Sequence, residues 1–114
     1  NYIEIRHIGS LVASMLRKSL DAFARLYMDL AVEVVKEDED VDKEYGSAMR
    51  SLVTFMMEDQ RNIGAILNEM WALRSLERIG DHASNIAEHV VYLVRGLDVR
   101  HQDSIEAFIQ QAGE

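Results

Sequence analysis

The chain has 114 residues, a formal net charge of −8, no proline and no cysteine. That length suits one domain with a core of its own. The missing thiols exclude disulfides and thiolate zinc sites, and the acidic balance argues against nucleic acid, which needs a basic face. With no signal-peptide pattern, and no apolar run near the roughly 18–20 residues of a membrane span, the expectation is a cytoplasmic protein.

In chain order, Ile5, Ile8, Val12, Leu16, Ser19, Phe23 and Leu26 recur at helical spacing, which predicts a first amphipathic helix over 3–27. Asp29 is a candidate N-cap, and a second helix is expected over 30–58. Its apolar face is Val34, Val41, Tyr45, Ala48, Leu52, Phe55 and Met56. Within the acidic run, Glu37, Glu39 and Asp40 read as solvated surface, whereas the helical wheel places Asp38 on the core side, with Asp42 at its flank.

Asn62 is the expected cap of a third helix over 63–95, closed by Gly96 as a C′ residue. Leu76, Ile79, Ala83, Ile86, Ala87 and Val90 line one side of it, with Glu77, Asp81, Asn85 and Glu88 opposite. Gly80 inside a helix costs about 1 kcal/mol relative to alanine, so with Ala83 it predicts close passage of a neighbouring helix. The tail, 97–114, is expected to hold one short helix capped by Asp103, resting Ile105, Phe108 and Ile109 on the rest.

Three long helices with short connectors predict an all-α, up-down-up antiparallel three-helix bundle over 1–96. Its core should include Val12, Phe23, Val34, Leu52, Phe55, Leu73, Leu76, Ala83 and Val90.

Asp38/Asp42 and Glu77/Asp81 are each acid-x-x-x-acid pairs, one helical turn apart. Antiparallel neighbours can bring them face to face as an oxygen-only site for a hard cation, Mg²⁺, Mn²⁺ or iron. Asn85 and Glu88, one and two turns on, are candidates as further ligands or as supports for the ligands. A merely solvated acidic face is the alternative. His82 and His89 share a face that points outward, and Glu4-x-x-His7 is half of a di-iron bundle motif without its second half. No phosphate-cradling glycine loop or nucleophile elbow occurs, so no catalytic residue is assigned.

The segment LERIGDHASNIAEHVVYLVRG resembles the hallmark segment of the PhoU family. So does AFARLYMDLAVEVVKEDEDVDKEY, with MEDQRNI between them. The resemblance implies one of the family's two three-helix bundles, the C-terminal one. It implies a non-enzymatic, cytoplasmic negative regulator of phosphate uptake and phosphate-starvation signalling, with divalent or multinuclear metal held by Asp38, Asp42, Glu77 and Asp81. Its implied partners are the ATPase subunit of a phosphate transporter and a membrane sensor histidine kinase, with membrane association only through them. A homodimer is left open, and a helical interaction module without metal is the alternative function.

Overall fold

The computed structural model describes residues 2–112. They form α1 (Tyr2–Arg25), α2 (Met28–Glu58), a single 3₁₀ turn (Gln60–Asn62) and α3 (Ile63–Ala112), with no strand among the described residues. The helices run up, down and up, as the spacing of apolar residues predicts, in a rod of 82 × 19 × 16 Å. No described helix is long and apolar enough to cross a membrane.

The core is one continuous apolar stripe. Ile8, Val12 and Met15 enter it from α1; Val34, Val41, Ala48 and Leu52 from α2; Leu73, Ala83, Ala87 and Val90 from α3. The residues of each set stand three, four, seven or ten apart, all close to whole helical turns, so burial follows helix geometry. Ser19, buried beside them, is satisfied by donating its hydroxyl to the Leu16 carbonyl at 2.8 Å. Gly80 is buried, and a Cβ there would stand 3.6 Å from Val12 Cγ2. That is ordinary contact. A methyl group fits, and a bulky side chain would press on Val12 of α1.

Two aromatic residues expected in the core lie outside it. Phe23 is 53% exposed and Phe55 45% exposed. Ala22 takes the inner position at the end of α1, which turns Phe23 about 100° away from the core. Phe55 lies seven residues beyond Ala48, which is level with Ile3 and Ile8 of α1, and so past the described part of that helix. Leu76, also expected in the core, packs half-buried against it.

The caps also differ from expectation. Arg25 ends α1, and Leu26 takes the left-handed conformation at φ 51°. Bonds from Leu26 N–H to the Phe23 carbonyl and from Tyr27 N–H to the Ala22 carbonyl complete a Schellman motif, here with leucine in the place glycine favours. The second helix therefore starts at Met28, and Asp29 sits in its first turn, where the helix dipole favours a carboxylate. Asp59, three residues before Asn62, is the capping side chain: its carboxylate accepts from the Arg61 N–H at 3.1 Å and from the Asn62 amide at 3.1 Å.

The largest correction concerns the tail. Gly96 does not end α3, which continues unbroken to Ala112. No glycine among the described residues has a positive φ, so Gly96 is an interior helical residue and not a C′ cap. No separate helix starts at Asp103. Ile105, Phe108 and Ile109 do not rest on the bundle, being 46%, 70% and 61% exposed.

Candidate metal centre

The α2–α3 seam holds the acidic motifs. Because the helices are antiparallel and both pairs repeat every four residues, one turn of α2 faces one turn of α3 at this level. One carboxylate oxygen from each of Asp38, Asp42 and Asp81 comes within 4.8 Å of the others. Among the described residues, no other group of three acidic or histidine side chains converges this way.

That spacing fits a hard cation. With metal–oxygen distances of about 2.0–2.6 Å, ligands on opposite sides of one ion stand roughly 4–5 Å apart. The donor set is all oxygen, which suits magnesium or manganese and also accepts iron.

The electrostatics follow from the crowding. Partial burial pushes the Asp38 carboxyl up to about 6, helped by the negative charges of Asp42, Asp81, Glu88 and Glu77. Asp42 is also raised, by lost hydration first and by Asp81 second, although the residue as a whole is exposed. Glu77 is raised by lost hydration, then by Asp81 and Asp42, against the lowering pull of Arg74. Each shift has the same meaning: the folded chain resists full ionisation of this seam. A divalent cation there would reverse it.

The expected ligands thus separate into three and one. Asp38, Asp42 and Asp81 converge, whereas Glu77 lies a turn before Asp81, within electrostatic reach but outside the convergent set. Glu88 is felt by Asp38 from further along α3, and Asn85 stands exposed a turn after Asp81. Tyr45 closes the lower edge: burial and then Glu77 raise its hydroxyl, and Arg74 opposes them.

Two features were not visible in the sequence. Glu37, read as plain surface, joins Glu33 in holding the Lys18 ammonium across the α1–α2 seam, Glu33 at 2.8 Å. Those hydrogen bonds, to Glu33 first and Glu37 second, raise the Lys18 pKa. His7, half of the incomplete di-iron motif, instead pairs with Glu44 of α2 at 3.0 Å. Cross-helix partners of this kind leave no mark in spacing along one helix. His82 and His89 are exposed, as expected.

Fold and seam together define a class: an all-α three-helix bundle carrying a carboxylate cluster between its second and third helices. The profile of the PhoU domain matches residues 5–90, and the chain belongs to the PhoU family. It is 64% identical over 100 residues to the phosphate-specific transport system accessory protein PhoU homolog of Pseudomonas aeruginosa, an alignment covering 88% of this chain and 41% of that protein. To the Escherichia coli PhoU accessory protein it is 44% identical over 99 residues, 87% of this chain and 41% of that one. The crystal structure of PhoU from Pseudomonas aeruginosa superposes with a TM-score of 0.82 at 63% identity, covering 83% of this chain and 46% of the other. The chain therefore spans less than half the length of these relatives. The family is one of accessory proteins rather than enzymes.

Proposed function

We propose that this chain is a regulatory adaptor of phosphate uptake, acting as a negative regulator of phosphate-starvation signalling, with a divalent cation held at the α2–α3 seam. The convergence of Asp38, Asp42 and Asp81 carries the metal reading. Their oxygens would hold magnesium, manganese or iron, and Glu77 would join by a side-chain rotation or support the ligands from one turn away. The ion would supply charge compensation and so rigidify α2 against α3; no reaction step is assigned to it. The relatives' name as accessory proteins of a phosphate-specific transport system supports the adaptor role. The partners in this reading are the transporter's ATPase subunit and the sensor histidine kinase, with a second copy of the chain as a further one.

Thermal unfolding with and without Mn²⁺ or Mg²⁺ tests the site. Metal should raise the Tm by mass action, and the Asp38→Ala/Glu77→Ala double variant should lose most of that rise. If metal leaves the Tm of the native chain unchanged, the cation reading fails and the acidic seam becomes a docking surface for a basic partner.

A further inference from the structure

Two terminal signals in the sequence, Gly96 and Asp103, go unused in the continuous α3. Gly80 has a packing reason to lack a side chain, since a Cβ there would touch Val12 at 3.6 Å, and Gly9 has a similar one in Leu76 at 3.8 Å. Gly96 has none: a Cβ there would meet nothing within 4 Å. After proline, glycine is the poorest residue for a helix interior. What distinguishes it is free access to a positive φ. Gly96 also sits at a boundary, because Val94 is the last residue of α3 packed against the core.

The residues around Gly96 complete a helix stop. α1 ends in a Schellman motif with Leu26 at C′, at φ 51°, a conformation unfavourable to leucine. The same frame laid on Gly96 puts Leu97 at C″ and Tyr92 at C3, the pair whose apolar contact accompanies that motif. The Leu97 N–H would then donate to the Tyr92 carbonyl, and the Gly96 N–H to the Leu93 carbonyl. Arg95 would stand at the end of the helix, where the dipole favours a cation. Asp103 would cap the helix that restarts after the turn. The chain thus makes this turn at Leu26 with a costly residue, and carries the favoured residue at Gly96 unspent.

We infer that Gly96 is a two-state hinge: α3 either runs through it, as in this structure, or stops there in a Schellman turn and restarts at Asp103. In the first state residues 97–112 extend the axis of the rod. In the second they swing off that axis as an arm. No core residue lies beyond Val90, so the exchange leaves the core intact and is decided by backbone preference at one position. The hinge is independent of the metal reading.

Distances between spin labels test this. The chain lacks cysteine, so labels go selectively to His89→Cys and Ala107→Cys, both exposed positions, 18 residues apart on one helix face. A straight α3 holds their backbones about 27 Å apart. The otherwise native chain should give two distances, that one and a shorter one. Gly96→Ala should deplete the shorter population about tenfold or more, because alanine favours the helix and resists a positive φ. Leu97→Ser should deplete it too, by removing the contact with Tyr92, although serine weakens a helix and would promote fraying. A single distance near 27 Å in the native background overturns the hinge. A shorter population that survives Gly96→Ala, or grows with Leu97→Ser, is fraying of the helix end and overturns it as well.

Discussion

The α1–α2 and α2–α3 seams are both rich in carboxylates and solve the resulting repulsion differently. Across the first, Lys18 bridges Glu33 and Glu37, and His7 meets Glu44. Across the second, Asp38 and Asp42 face Asp81, and among the described residues no ion pair reaches those three. Neighbouring residues on α2, Glu37 and Asp38, thus belong to opposite regimes. One carboxylate is neutralised by the chain; the other is pushed up to about 6 by burial and by its acidic neighbours. The same acidic run is therefore two surfaces, and only one of them is compensated by cations of the chain itself.

The largest test disturbs the geometry that holds the second seam. Gly80→Leu would drive into Val12 and cost about 1–3 kcal/mol by overpacking, whereas Gly80→Ala should be neutral or stabilising. Chemical denaturation of both variants checks this; equal stability would show that α1 does not constrain the acidic turn. A second variant makes the two seams alike. Asp81→Lys places a cation among Asp38, Asp42 and Glu77, and should raise metal-free stability by about 1 kcal/mol while abolishing the response to Mn²⁺.

The pH profile sharpens the same contrast. Asp38 has its folded pKa raised from 3.8 to about 6, so the folded chain keeps a proton that the unfolded chain releases. The Asp38 contribution to metal-free stability should then be full below about pH 4 and be lost as pH rises towards 6 and just beyond, by about 1–2 kcal/mol once partial hydration is allowed for. Asp38→Asn should flatten that slope, as read by unfolding midpoints at each pH. The smallest effect belongs to the compensated seam. Lys18→Met should cost about 0.5–1 kcal/mol at low salt and less at high salt, since that pair is partly exposed and screened.

Much of this architecture is legible in the residues themselves. Apolar spacing marks three helices because each buries one face, and acid-x-x-x-acid marks the seam because four residues make one turn. The legibility stops where one helix must know another. Nothing local distinguishes Glu37 from Glu39 until Lys18 arrives from α1. Phe23 and Phe55 look like core residues by hydrophobicity, but Ala22 takes the inner position beside the first, and the second lies past the described part of α1. Gly96 shows the limit of terminal signals: glycine permits a left-handed cap without requiring one, and here the helix runs through it.

The fifty-residue α3 is one helix in geometry but not in cooperativity. Its amides from Leu73 to Val90 are anchored by a two-sided core, whereas those beyond Val94 hang on local hydrogen bonds alone. Hydrogen exchange in dilute monomer should therefore divide the helix: slow exchange, near the global unfolding free energy, in the buried stretch, and exchange orders of magnitude faster towards Ala112. A continuous row of backbone bonds would then contain a boundary between foldons that no break in the helix announces.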